Sequence, residues 1–443
     1  MGTEKLPKLI AYMAMPAIFS MFIQSMYNIV DSYFVSRISE PAFRAVTIAM
    51  PMQQLLTAVA VGTAVGVTSL IARSLGARDQ TTANQTASHG VFLSAVNWLV
   101  FFVLAAFFSK VFYAAFTDHP DVYREGVRYL QIVLGASGGI ILLIMVEKML
   151  QGTGDMIKPM ITQLLGAVLN IVLDPVLIFG LGPFPALGVS GAALATVLSQ
   201  WISCGVALIL LYRSRHKLQL TLHGFRPQKE ILKGIYRVGL PSILIISITS
   251  FMIMALNQLL RRVSEQMISV LGVYFRLQSF IFMPIFGLTQ GLMPIMGYNY
   301  GARNKKRLTG ALKIGIGVSL AIMSLGVLLF QTQAASFLQL FRATPTMFEI
   351  GVPALRIISL SFWFAGTNLC LSTFFQAVGR GTYSLLLSVC RQFLFIVPPV
   401  FFLRFVSMEA TWATFLFAEA ASLIVAYWLY RKVSRTFPGK QSL

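Results

Sequence analysis

Residues 16–40 read PAIFSMFIQSMYNIVDSYFVSRISE, and residues 241–265, 225 positions later, read PSILIISITSFMIMALNQLLRRVSE. Pro16 returns as Pro241, and Arg37-Ile38-Ser39-Glu40 returns as Arg262-Val263-Ser264-Glu265. At the same offset, without a gap, Gly62, Gly66 and Gly76-Ala77-Arg78 return as Gly287, Gly291 and Gly301-Ala302-Arg303. Gln151 and Gly154 return as Gln376 and Gly379. Matches repeated at one fixed spacing mark an internal duplication. The copies part company at two acids: Asp31 is answered by Leu256, and Asp174 by Pro399.

The segments around these positions are too apolar for a soluble domain. Hydrophobic residues make up 56% of the chain and charged residues 11%, with a mean hydropathy of +0.75. Twelve apolar runs are read at 9–36, 45–72, 85–109, 126–147, 159–181, 189–212, 236–260, 267–297, 311–333, 350–376, 383–403 and 411–430. Each is long enough to cross a bilayer as a helix. The expected fold is therefore an all-α polytopic membrane protein of twelve transmembrane helices in two pseudo-symmetric six-helix lobes. The lobes are read as residues 1–213 and 234–443, joined by a basic cytoplasmic linker at 214–233. Six spans per copy make the repeats parallel, a geometry that suits alternating access through a cleft.

The net charge of +20 does not point to nucleic acid. Roughly 23 of the 35 Lys and Arg fall in the termini and the even-numbered connections, which is the positive-inside pattern with both termini cytoplasmic. Lys5 and Lys8 precede a stretch that runs on past the length of a cleavable signal. Cys204, Cys370 and Cys390 are scattered in apolar spans and form neither a disulfide framework nor a metal knuckle. The spacings Gly62-x-x-x-Gly66 and Gly287-x-x-x-Gly291 place glycines on one helix face, where they serve close backbone packing. Pro16 and Pro241 sit inside their helices and weaken the hydrogen-bond ladder, which permits a bend.

Of 15 acids, Asp31, Glu147, Asp174 and Glu419 fall within apolar spans. A carboxylate at that depth is costly unless partnered, and it faces a bundle interior or a wet cavity. Ser20, Gln24, Asn28 and Asp31 recur at helical spacing with Tyr27 beside them, and Gln163, Ala167, Asn170 and Asp174 do the same. Two such stripes facing one another make a polar chamber; a structural hydrogen-bond pair locking two helices is the plainer alternative. An acid so placed can exchange a proton as its exposure changes, and the same oxygens also suit sodium. Residue type does not separate the two. Glu147 beside Lys148 reads as an interfacial ion pair. Glu419 either lines the cavity or pairs with Arg391, and Arg276 is either an acid's partner or a packing cation.

These segments together resemble the multidrug and toxic compound extrusion (MATE) transporters. Met26-Tyr27-Asn28-Ile29-Val30-Asp31-Ser32-Tyr33-Phe34-Val35 is similar to their first-helix motif. Phe282-Met283-Pro284-Ile285-Phe286-Gly287-Leu288-Thr289-Gln290-Gly291 and Gly297-Tyr298-Asn299-Tyr300-Gly301-Ala302 are similar to their eighth-helix motif. Gln151-Gly152-Thr153-Gly154-Asp155, Leu169-Asn170-Ile171-Val172-Leu173-Asp174-Pro175 and Gly188-Val189-Ser190-Gly191-Ala192 fit as well. The set points toward the DinF-like branch. The resemblance implies export of cationic or amphipathic organic compounds in exchange for H+ or Na+, from the cytoplasmic membrane of a prokaryote. It implies an ion site at Asp31, Asn170, Asp174 and Thr196, and a hinge at Pro16; Gln24, Tyr27, Asn28 and Gln163 are read as lining the substrate cavity. Helix seven (Met254, Ala255, Leu256, Asn257) and helix ten (Asn368, Ser372) lack the carboxylates of the NorM-type branch, so coupling is expected in the first lobe. A monomer in the lipid bilayer is expected, with no cofactor beyond the coupling ion and no partner in nucleic acid. A flippase for a lipid-linked oligosaccharide is the alternative, but it needs a strongly cationic cavity, and Arg276 and Arg391 are the mid-span cations found. No nucleophile–base pair, metal cluster or phosphate loop appears, which excludes an enzyme.

Overall fold

The computed structural model describes residues 1–182, 185–221, 224–261, 263–341, 343–403 and 406–437; Arg262, the counterpart of Arg37, lies outside them. The described residues form helices and no strands. In chain order these are α1 (Leu6–Ser36), α2 (Glu40–Gly76), α3 (Gln80–Phe116), α4 (Pro120–Gly135), α5 (Gly138–Gly152), α6 (Ile157–Phe179), α7 (Val189–Arg213) and α8 (Lys229–Arg261). There follow α9 (Glu265–Gly301), α10 (Lys305–Leu340), α11 (Pro345–Ser359), α12 (Phe362–Ala377), α13 (Gly381–Val389), a π-helical turn (Cys390–Leu394), α14 (Val397–Leu403) and α15 (Met408–Arg435).

Ten segments are long and apolar enough to cross a membrane, and two bent pairs complete the twelve read from the sequence. The pair α4–α5 bends by 41° and the pair α11–α12 by 47°. A break of this kind frees carbonyls from the helical ladder, and each must find another donor. In the first copy two indoles do this: Trp98 Nε1 donates to the Gly135 carbonyl at 2.9 Å and Trp201 Nε1 to the Ala136 carbonyl at 3.0 Å. In the second copy Gln331 Nε2 donates to the Arg356 carbonyl at 2.8 Å.

The duplication is visible in the backbone. Ser39 and Ser264 cap α2 and α9 with their hydroxyls. Asp79 and Asn304 cap α3 and α10 at matching angles (φ −93°, ψ 80° and φ −93°, ψ 81°). Arg78 and Arg303 both take a positive φ, as do Gly154 and Gly379.

Packing divides the chain into two compact units, Phe19–Ile243 and Met1–Ile18 with Leu244–Leu443. The sequence-based lobes 1–213 and 234–443 follow the polar linker; the compact units do not. Their borders fall inside α1 and α8, at positions related by the repeat and two residues beyond Pro16 and Pro241. The cause is glycine packing. In the Phe19–Ile243 unit a Cβ on Gly62 would lie 2.6 Å from the Ile243 backbone nitrogen, and one on Gly66 2.3 Å from the Ile235 carbonyl oxygen. In the other unit a Cβ on Gly287 would lie 2.6 Å from Ile18 Cα, and one on Gly291 2.9 Å from the Ala14 nitrogen. Each glycine pair thus seats the first half of a proline-containing helix against it.

The linker itself belongs to the Phe19–Ile243 unit, where one flank of α3 reads its backbone. Gln219 N donates to Asn84 Oδ1 at 2.9 Å, Thr221 N to Ser88 Oγ at 2.9 Å, and Gln228 N to His89 Nε2 at 2.8 Å. Phe225 meets the His89 ring edge-on at 4.8 Å between centroids.

Candidate functional site

The site in the Phe19–Ile243 unit grows from two turns of α6. Asn170 and Asp174 are four residues apart, so both project from one face. Both are buried, at 1% and 0% exposure. Pro175 follows Asp174 within the helix and withholds a backbone donor there. Helix α7 comes close because Gly191 has no side chain: a Cβ there would lie 2.3 Å from the Leu177 carbonyl oxygen of α6. That approach delivers Thr196 to the pair. Asn170 satisfies both neighbours with its amide nitrogen donating to Asp174 Oδ2 at 2.9 Å and its oxygen accepting from the Thr196 backbone N–H at 3.3 Å.

The second wall is α1. The hydroxyl of Tyr27 lies near the side chain of Thr196, and Tyr27 is within electrostatic reach of both Asp31 and Asp174. Asp31 and Asp174 are near enough for their charges to interact. Asp31 is half-buried, and its carboxylate accepts no hydrogen bond among the described residues. Tyr129 of α4 closes this side; it is buried, takes a hydrogen bond from Gln53 Nε2 at 2.8 Å and feels the charge of Asp31. Five of the residues singled out in the sequence therefore meet: Tyr27, Asp31, Asn170, Asp174 and Thr196.

Others do not join them. Ser20 is buried, whereas Gln24 and Asn28 are exposed along α1 and make no side-chain hydrogen bond to the cluster among the described residues. Gln163 lies two turns from Asn170 and serves a different acid. Its Nε2 donates to Glu147 Oε2 at 2.8 Å, while Thr162 Oγ1 donates to Glu147 Oε1 at 2.7 Å. Glu147 is 5% exposed, inside the helix bundle, and takes these two hydrogen bonds on its carboxylate. The ammonium of the neighbouring Lys148 donates to Gln151 Oε1 at 2.8 Å. Pro16 remains inside an unbroken α1.

The other unit holds its own acid, with a counter-charge built in. Arg391 Nη1 lies 3.3 Å from Glu419 Oε1, the pairing the sequence allowed. Asn368 Nδ2 donates to Glu419 Oε2 at 2.8 Å and to its backbone carbonyl at 3.0 Å. Arg391 stands on the π turn, a local widening of the helix that recurs at functional sites. Arg276 is exposed on α9 and makes no ion pair among the described residues.

Sequence reasoning missed Tyr129 and Gln53, each a single polar residue without a spacing partner. It also missed the bond between Gln163 and Glu147, because a stripe on one helix does not reveal which neighbour meets each rung.

Comparison with known proteins agrees with this architecture. Multidrug export protein MepA of Staphylococcus haemolyticus is 25% identical over 439 residues, covering 98% of this chain and 96% of that protein. A solved structure described as the outward-facing conformation of a multidrug resistance MATE family transporter of the MOP superfamily superposes with a TM-score of 0.90 at 27% identity, covering 99% of this chain and 98% of the other. A MOP superfamily transporter from Pyrococcus furiosus, described as having a binding pocket of reverse polarity that suggests a different function, gives a TM-score of 0.90 at 26% identity over 98% and 97% of the two chains. The MatE family model matches twice, at residues 16–176 and 241–402, one match for each copy of the repeat. This twelve-span membrane protein belongs to the MatE family of transporters.

Proposed function

We propose that the chain is a secondary antiporter that exports cationic and amphipathic organic compounds in exchange for H+ or Na+, and that it takes the ion at Asp31, Asn170, Asp174 and Thr196. One contrast carries this reading. Glu419 has Arg391 beside it, whereas none of the ion pairs among the described residues involves Asp31 or Asp174. Intramembrane carboxylates without a resident cation are neutralised by something that arrives and leaves, either a proton or a small hard cation held by oxygens. Asn170, Thr196 and Tyr27 supply further oxygens at that place. The coupling then consists of a difference in ion affinity between two conformations, since equal affinity would shift nothing.

The names of the relatives support multidrug export, and the absence of a carboxylate from α12 and from the stretch of α8 around Leu256 supports the DinF-like reading. The transporter works as a monomer in the cytoplasmic membrane with both termini inside. The flippase alternative is weakened because Glu419 neutralises Arg391, one of its two mid-span cations.

Reconstitution into proteoliposomes tests the proposal. Ethidium transport driven by an imposed pH gradient is compared with transport driven by an imposed Na+ gradient, in wild type, Asp31→Asn and Asp174→Asn. One gradient drives the wild type, and both variants drop to the level of empty vesicles. Gradient-driven transport at the wild-type rate in both variants refutes the site.

A further inference from the structure

We infer that the Arg391–Glu419 pair is a second, electrically neutral recognition site, specific for zwitterionic organic compounds whose carboxylate is taken by Arg391 and whose amine is taken by Glu419 and Asn368. Three observations on this unit converge. First, Arg391 uses one N–H on Glu419, and the rest of its guanidinium fork has no partner among the described residues, while its side chain stays 16% exposed. A planar fork with free donors matches a carboxylate in two-point geometry. Second, Asn368 is 1% exposed and its Oδ1 is a buried acceptor without a partner. Its orientation is fixed, because Nδ2 already donates to the Glu419 carboxylate and to the Glu419 carbonyl. The orphaned oxygen therefore sits beside the carboxylate and calls for an N–H donor. Third, the π turn displaces Arg391 from the register of a regular helix, and the next residue, Gln392, is tied by Thr249 Oγ1 at 2.9 Å. The turn is held from its flank, which leaves the guanidinium as its free arm.

Charge balance selects the ligand. The pair sums to zero, so a monocation bound at Glu419 would strand the guanidinium, and a monoanion bound at Arg391 would strand the carboxylate. Either leaves an uncompensated charge in a low-dielectric bundle. A zwitterion that opens the pair gives each partner a new one and changes no net charge. The acid cluster around Asp174 has the opposite character, since no cation pairs with it among the described residues.

The test uses the full-length transporter and a matched pair of fluorescent probes: a rhodamine with unsubstituted xanthene amines as its free acid, which is a zwitterion, and the methyl ester of that dye, which is a cation. Wild type in detergent binds the acid about ten-fold or more tightly than the ester, the size of effect expected of a two-point charged hydrogen bond. Equal or reversed affinity overturns the inference. The double variant Arg391→Gln/Glu419→Gln keeps the site neutral and removes both charges; its preference for the acid disappears. A preference kept at the wild-type level overturns the assignment to this pair. Should the double variant not fold, Arg391→Lys replaces it, conserving charge while removing the fork, and the preference must still fall. The inference rests on the export reading above, and ethidium transport separates the two. Ethidium transport lost in wild type refutes export itself, whereas ethidium transport retained in both wild type and variant, with no acid preference in wild type, refutes only this site.

Discussion

Replacing Gly62 with alanine tests the packing that divides the chain. The added Cβ would lie 2.4 Å from Ile243 Cγ1, 2.6 Å from its nitrogen and 2.9 Å from its Cα. Carbon atoms in contact rest at about 3.5–4.0 Å, so α8 must withdraw by about 1 Å along this seam. Overpacking of this kind costs about 1–3 kcal/mol, and the upper end applies because, beyond the Ile243 Cγ1 that could turn aside, the other two blocking atoms are backbone and have no rotamer to escape into. Alanine returns up to about 1 kcal/mol through its better helix propensity. The net loss is about 2 kcal/mol, which lowers the melting temperature by about 4–8 °C for a unit of this size. Gly205 in α7 is the internal control, with nothing within 4 Å of its virtual Cβ. Gly205→Ala keeps the propensity gain alone and melts at or slightly above wild type. Thermal unfolding of both variants in one detergent decides the matter. A Gly62→Ala protein that melts with Gly205→Ala, or above it, refutes the seam; Gly287→Ala against Ile18 repeats the experiment in the other unit.

Three further outcomes follow from single contacts. Asp79 Oδ1 accepts from the Thr82 N–H at 2.9 Å, and its bonds with Thr82 hold the carboxyl below its ordinary value. Asp79→Ala costs about 1 kcal/mol. A depressed folded-state pKa means the contribution is complete above the unfolded value of about 3.9 and is lost as pH falls through the folded one, so variant and wild type converge only below the ordinary carboxylate range. Asn304→Ala, at the equivalent cap, loses a similar amount at every pH, and thermal melts across pH read both. His89→Ala removes the acceptor for Gln228 N–H, and a lost buried acceptor of about 1–3 kcal/mol speeds amide exchange there by about five- to a hundred-fold; unchanged exchange by mass spectrometry would discard the latch. Gln163→Leu leaves Glu147 Oε2 without its donor and destabilises by about 1–3 kcal/mol, read as a lower melting temperature.

The helices were legible because apolar runs of bilayer length are hard to confuse with anything else. The breaks after Gly135 and near Leu360 were not, because small and apolar residues continue through them and only distant donors, Trp98 and Trp201 at the first and Gln331 at the second, reveal the freed carbonyls. The glycine motifs announced close packing without naming a partner, so the borders at Ile18 and Ile243 stayed hidden behind the more conspicuous polar linker. At the site, Asn170 and Asp174 were readable from their four-residue spacing, and Asp31 from its isolation. Thr196 came from the family resemblance and Tyr27 from its place beside the α1 stripe; which neighbours they meet shows only in the packing of α7 on α6 and of α1 beside them. Arg391 and Glu419 were legible as a possible pair; the π turn that carries Arg391 leaves no mark in the amino acids.

The division of α1 also sets an order of assembly. Met1–Ile18 is made well before its packing partner: Gly287, against which that segment packs, lies 269 positions beyond Ile18. Residues Phe19–Ile243 are contiguous and are complete for packing before α9 has been synthesised. That segment is therefore made before the Phe19–Ile243 unit and seated after it, held meanwhile only by the remainder of its own helix. A chain that stops short of α9 ends with a complete Phe19–Ile243 unit and with Met1–Ile18 lacking the glycines it packs against.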